Sequence, residues 1–149
     1  MDTNTFIHKV LDPFQLLAEE QEKQLIFKEN KSFNADIDVV KLHQVLLILL
    51  DNAFKYTKTG DSITVTSSLT NKKQWEVSIK NFEPHINEDK LNHIFTKFYR
   101  EDDSRNKETG GNGLGLSIAK QIVEEHGGNI QAKNVSPTGV VFTFKLRNK

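Results

Sequence analysis

The chain has 149 residues, with 20 Lys and Arg against 20 Asp and Glu, five His and no Cys. That balance excludes a whole-surface electrostatic binder of nucleic acid or anionic membrane, and the missing cysteines exclude a disulfide scaffold and a cysteine-based zinc site. At roughly 100–200 residues per domain the length is one domain, with no apolar run near the roughly 20 residues of a membrane helix and no signal-peptide stretch at the N-terminus.

Phe6, Val10, Phe14 and Leu17 keep one helical stripe across Pro13, which predicts a single kinked helix. The rival is a fresh helix with Asp12 as N-cap and Pro13 at its first position. Leu25–Phe27 and Phe33–Ile37 are short apolar bursts that predict paired strands. From about Asp38 to Tyr56 the spacing turns helical: Leu42, Val45, Leu46, Leu49 and Ala53 share one face, and Thr59-Gly60-Asp61 supplies a stop. Ile63–Val65 and Val77–Ile79 alternate with polar residues and predict antiparallel strands joined through Thr70–Lys73. Leu91, Ile94, Phe95 and Phe98 mark a short helix. Thr96–Asn112 is polar and without periodicity, a kind of stretch that compact domains keep for lids and binding loops. A helix from about Gly113 to His126 stops at Gly127-Gly128. Strands Ile130–Asn134 and Val140–Leu146 close the chain around Ser136-Pro137-Thr138-Gly139. Three main helices and roughly six strands, mostly hairpin-linked, predict an α+β two-layer sandwich with helices on one face of a mixed sheet.

Three segments carry chemistry. Four of the eight glycines, Gly110, Gly111, Gly113 and Gly115, fall within six residues at the start of a predicted helix. Bare amides at a helix start favour an anion, because the N–H groups point outward and the helix dipole adds partial positive charge. Leu116 stands where a dinucleotide fingerprint needs Gly, and Leu116-Ser117 stands where a P-loop needs Lys-Ser/Thr. A phosphate site and a plain turn-forming loop both remain open on these residues alone. In Asp51-Asn52-Ala53-Phe54-Lys55-Tyr56-Thr57, Asn52 sits at the edge of the apolar stripe, with Lys55 and Tyr56 a turn further on. Asn is a poor helix-interior residue, so it either has a task or is an ordinary exposed polar residue. Its amide oxygen suits Mg²⁺, which takes hard oxygen ligands and keeps waters beside substrate phosphates. In Ile94-Phe95-Thr96-Lys97-Phe98-Tyr99-Arg100, Phe95 and Phe98 share a face and would anchor the base of a lid. Arg100 and Arg105, two of only three arginines, can grip phosphate oxygens bidentately. Glu101, Asp102 and Asp103 also allow a solvated mixed-charge loop.

In their order and spacing along the chain these three segments resemble, respectively, the second glycine box, the asparagine box and the phenylalanine box of the ATP-binding catalytic domain of bacterial sensor histidine kinases. The resemblance runs from about Phe6 to Leu146. It implies a Bergerat α/β sandwich holding ATP between the helical layer and a lid. Carried over, Asn52 matches the Mg²⁺ ligand, and Lys55 and Tyr56 match phosphate contacts. Arg100 and Arg105 match the lid arginines, and Gly111, Gly113 and Gly115, with Leu114 and Leu116, match the phosphate-side loop. Ile86 and Phe98 match nucleotide-lining positions. The implied catalytic set is Asn52, Lys55, Arg100 and Arg105.

The first glycine box departs from the family. Asn81-Phe82-Glu83-Pro84-His85-Ile86 stands where the resemblance implies Asp-x-Gly-x-Gly-Ile. Asn81 takes the place of an Asp that accepts from the adenine amino group. An amide still accepts but loses the charge and adds a donor, which predicts ATP binding with weaker rejection of guanine. Ile48, one turn before Asn52, stands where gyrase- and chaperone-type ATPases carry a Glu that activates water, and isoleucine cannot do so. Val140 replaces a Thr or Ser that supports a water-mediated adenine contact.

No histidine fits the family's phosphoacceptor pattern His-Glu/Asp-x-x-Asn/Thr-Pro: Lys9 follows His8, and His43, His85, His93 and His126 lack the acid and proline. The expectation is a catalytic fragment of a larger receptor, with Met1 an introduced start. Residues 1–23 read as a linking helix from an absent dimerisation domain, and 24–149 as the ATP-binding catalytic domain. The resemblance implies Mg²⁺ and ATP as cofactors, and γ-phosphoryl transfer to a histidine on the absent domain. It also implies a response regulator downstream, a cytoplasmic setting in a membrane-anchored receptor, and a monomeric fragment of a homodimeric parent. The alternative is a nucleotide-sensing or docking module of the same fold without turnover.

Overall fold

The computed structural model describes residues 1–82, 84–91, 93–96 and 115–147. Helix α1 spans Thr3–Glu20, and the Asp2 carboxylate caps it by accepting from the Thr5 N–H at 2.9 Å. One helix runs through Pro13, so the single-stripe expectation holds and Asp12 is not a cap. Of that stripe Phe6 and Val10 are buried in the common core, with Ile7, Leu11 and Ala18 beside them, and Phe14 and Leu17 pack half-buried against it.

Strand β1, Gln24–Glu29, does not pair with Phe33–Ile37 as expected. It pairs in parallel with β2, Ser62–Leu69, from Gln24↔Ser62 to Glu29↔Ser67. The reason lies in the polar residues between the two bursts. Asn30 Nδ2 donates to Ser67 O at 2.9 Å, and Ser32 Oγ donates to Asp2 Oδ1 at 2.6 Å. These bonds wrap 30–35 around the start of α1, where Ala35 N donates to Met1 O and only the bridge Asp2↔Asn34 forms. Among the described residues the sheet accordingly has five strands, against the roughly six expected.

A parallel pair needs a crossover, and α2, Val39–Tyr56, supplies it, capped by Asp38 through the Lys41 N–H at 3.1 Å. Strand β3, Gln74–Asn81, follows β2 antiparallel. The short α3, Glu88–Leu91, ends before Ile94 and Phe95, which continue in a turn, and Phe98 lies outside the described residues. Helix α4, Gly115–Glu125, leads to β4, Asn129–Asn134, and β5, Val140–Arg147. The sheet order is β1-β2-β3-β5-β4, mixed and mostly antiparallel. This is the expected α+β arrangement.

The core lies between the sheet's inner face and the helices. Alternation sends Trp75, Val77 and Ile79 of β3 inward beside Phe142, Phe144 and Leu146 of β5. Trp75 meets Phe6, Phe33 and Phe144 edge-on, and its indole N–H donates to the buried Ser67 Oγ at 2.8 Å. At the α4–β4 connection, a side chain on Gly128 would place Cβ 1.9 Å from Lys145 O. That backbone-to-backbone approach admits only glycine. Gly128→Ala should therefore lower the unfolding free energy by about 3 kcal/mol, read from the urea midpoint by Trp75 fluorescence; an unchanged midpoint would mean the connection is free to move.

Candidate functional site

Helix α2 is the common wall of the site, because it packs on both β3 and α4. Its direction relative to α4 follows from two ends. Asp38 N donates to His126 Nε2 at 3.3 Å, His126 Nδ1 donates to Ile122 O at 2.9 Å, and Lys41 pairs with Glu125 at 3.7 Å. At the other end, a Cβ on Gly115 would lie 3.6 Å from Ile48 Cγ2. The start of α2 thus meets the end of α4, and the two helices run antiparallel. The N-terminus of α4 lies beside Ile48, and Asn52 follows four residues later, about 6 Å along the axis. The positive end of the α4 dipole and an amide side chain therefore belong to neighbouring turns.

Asn52 is half-buried at the margin of the α2 stripe. Lys55 Nζ lies 3.1 Å from Asp51 Oδ2, an exposed i,i+4 ion pair worth no more than about 1 kcal/mol. Tyr56 is half-buried in the same last turn. That turn is held from outside the helix. Lys23 Nζ donates to Phe54 O at 2.6 Å and to Gln21 Oε1 at 2.7 Å, while Phe14 stacks on the Phe54 ring at 5.4 Å. Burial holds the Lys23 ammonium below the ordinary lysine range.

Asn81 ends β3 in an inward position. It is 1 % exposed, and neither its Oδ1 nor its Nδ2 has a partner among the described residues. Thr57 Oγ1 at the end of α2 is likewise buried without one. Leaving a buried polar group unpaired costs about 1–3 kcal/mol. A fold keeps such a group mainly where something else is to bind it. A neutral amide presents one acceptor and two donors, which suits the edge of a nucleobase. Among the described residues no three His, Cys, Asp or Glu converge on a metal position. The half-buried Asn52 amide oxygen is a hard donor of the kind Mg²⁺ takes beside phosphates and water.

The segment after β3 lacks the family's glycines and is braced by side chains instead. Asn134 Oδ1 accepts from Ile86 N at 2.9 Å, and its Nδ2 donates to Ile86 O at 2.7 Å. His85 Nε2 donates to Val135 O at 2.7 Å, and Ile86 is buried. Of the residues singled out from sequence, Asn52, Lys55, Tyr56, Asn81, Ile86, Gly115 and Leu116 are described. Gly115 opens α4 and Leu116 packs against the core. Phe98, Arg100, Arg105, Gly111, Gly113 and Leu114, with most of the expected lid, lie outside the described residues. Asn134 and Lys23 went unnoticed in the sequence, since each acts on backbone far along the chain and leaves no local pattern.

The family described as "Histidine kinase-, DNA gyrase B-, and HSP90-like ATPase" matches residues 37–149. Sensor histidine kinase WalK of Bacillus subtilis (strain 168) is 31% identical over 145 residues, 97% of this chain and 24% of WalK. Sensor protein SrrB of Staphylococcus aureus is 40% identical over 109 residues, 73% of this chain and 18% of SrrB. The chain thus spans a quarter or less of these curated relatives. Among solved structures, the nucleotide-free catalytic domain of histidine kinase ThkA superposes with a TM-score of 0.86 at 30% identity, over 99% of this chain and 97% of that one. ThkA in complex with the response regulator protein TrrA gives 0.83 at 28% identity, over 100% of this chain and 42% of that one.

Replacing the unpaired amide by a hydrocarbon of similar size removes its desolvation cost. Asn81→Leu should raise the unfolding free energy of the ligand-free chain by about 1–2 kcal/mol in urea titration; a loss of stability would mean that the amide is satisfied in solution.

Proposed function

We propose a function from the premise that this chain belongs to the histidine kinase-, DNA gyrase B- and HSP90-like ATPase family. Within that family it is the catalytic domain of a sensor histidine kinase. It binds Mg·ATP and passes the γ-phosphoryl to a histidine on a dimerisation domain of its own receptor. The observation that carries the reading is Asn81: a buried amide without a partner among the described residues, at the end of the strand that the resemblance places against the base.

At the phosphate end, Asn52 Oδ1 is the protein oxygen that would hold Mg²⁺, and the ion, when bound, neutralises charge on the phosphates. Lys55 turns from Asp51 toward the phosphate oxygens, and Tyr56 adds a hydroxyl. The N-terminal amides of α4, from Gly115 on, face the same anion with the helix dipole behind them. Arg100, Arg105, Gly111, Gly113 and Leu114 complete the proposed phosphate contacts, and Ile86, Phe98 and Leu116 the apolar lining. None of these groups attacks the phosphorus. The chain works by positioning and by charge compensation, and the nucleophile comes from the other domain. Ile48 beside Gly115 puts hydrocarbon where hydrolysis of the gyrase and chaperone kind needs a base. Among the described residues no helix is long and apolar enough to cross a membrane. In this proposal the domain is the cytoplasmic end of a membrane-anchored homodimeric receptor, with a response regulator as its downstream partner, by analogy with ThkA and TrrA.

Asn52→Ala should lower the affinity for ATP in Mg²⁺ at least tenfold in calorimetry, abolish the difference between Mg²⁺ and chelator, and leave the melting temperature unchanged. Unaltered Mg²⁺ dependence would remove Asn52 from the site. Because the Asn81 amide can donate to a 6-oxo group as well as accept from a 6-amino group, Asn81→Asp should raise the preference for ATP over GTP about tenfold. Equal or poorer preference in a competition titration would mean that residue 81 does not read the base.

A further inference from the structure

Among the described residues the Asn81 amide has no partner, although a chain segment with its own polar backbone follows it directly. The hydrogen bonds of that segment show where its capacity goes. Both backbone groups of Ile86 are taken by the Asn134 side chain, N–H to Oδ1 at 2.9 Å and C=O from Nδ2 at 2.7 Å. His85 Nε2 is spent on Val135 O at 2.7 Å. Asn87 O accepts from Lys90 N and Leu91 N, and its Oδ1 accepts from Asp89 N. Asn134 is well placed for this task. Asn81 and Asn134 are both register partners of Val140, so they end β3 and β4 on one rung, about 10 Å apart at two strand spacings. A side chain at 134 reaches the loop that leaves 81 across the end of the sheet.

We infer that Asn134 is a positioning residue: by holding the backbone of Ile86 it keeps residues 84–87 from folding back onto Asn81, and so keeps the Asn81 amide available to the base of a purine nucleotide. The inference rests on the nucleotide-binding reading above and adds to it the element that preorganises the base end. Preorganisation of this kind raises affinity by removing the cost of ordering the loop when ligand arrives. It acts on the base and not on the phosphates: among the described residues the Asn134 side chain bonds Ile86 and Glu88 and nothing on α2 or α4.

The test is calorimetric titration of the 149-residue chain and its variants with Mg·ATP and, separately, with Mg·tripolyphosphate, which has the charge but no base. In the wild type ATP binds more tightly than tripolyphosphate. Asn134→Ala lowers ATP affinity about tenfold and leaves tripolyphosphate affinity unchanged. Asn134→Asp keeps the acceptor for Ile86 N–H but sets an oxygen against Ile86 C=O, so it falls in the same direction and carries the test should the alanine variant not fold. Unchanged ATP affinity in the variants overturns the inference. An equal fall for both ligands overturns it as well, since it marks Asn134 as merely structural. A wild type that binds no ATP overturns the nucleotide reading and the inference with it; a wild type that binds ATP no better than tripolyphosphate overturns only the inference.

Discussion

The antiparallel packing of α4 on α2 is the constraint from which the site follows. The His126–Asp38 bond and the Lys41–Glu125 pair close one end of the helix pair, and Gly115 against Ile48 closes the other. With both ends tied, the first amides of α4 lie beside the α2 turn that leads into Asn52. In the proposed reading, an anion drawn to the helix terminus lies about one turn from Asn52, whose amide oxygen would hold the cation that accompanies it. The last turn of α2 is held in addition by Lys23 and Phe14, which belong to another part of the chain. The described part of the proposed phosphate end is thus carried by helices, as positioning chemistry requires.

The proposed base end is built by the sheet. Period-two alternation carries Trp75, Val77 and Ile79 into the core, and Asn81 follows them because a strand cannot change the side of its next odd residue without a bulge. The result is an amide held in a dry place at a cost in stability. In the inference above, Asn134 keeps the neighbouring loop from pairing with that amide. In this account stability and recognition pull in opposite directions at residue 81, a frequent pattern at functional sites.

Much of this was legible in the sequence. The hairpin β2–β3 and the pair β4–β5 alternate strictly between polar turns, and α2 and α4 each repeat an apolar face between stop signals. Asn52 and the glycines stood out because their residue types conflict with their surroundings. The partner of β1 was not legible. Leu25–Phe27 and Phe33–Ile37 are both short apolar bursts, and periodicity carries no information about which strand lies alongside. The parallel pairing with β2 depends on α2 as crossover, a tertiary choice reinforced by Asn30 on Ser67. Asn134 was illegible for a similar reason. Its partner Ile86 is 48 residues away, and in a strand an Asn with one face outward looks like an ordinary polar residue.

The most direct measurement supplies the missing nucleophile. The chain is mixed with a dimerisation domain carrying the phosphoacceptor histidine of its receptor, or of a closely related kinase, together with Mg²⁺ and ATP labelled on the γ-phosphate. The account predicts that label appears on that domain, labile in acid and stable in alkali as a phosphohistidine is, with little free phosphate. Steady release of phosphate without labelling, or no turnover of bound ATP at all, would contradict it.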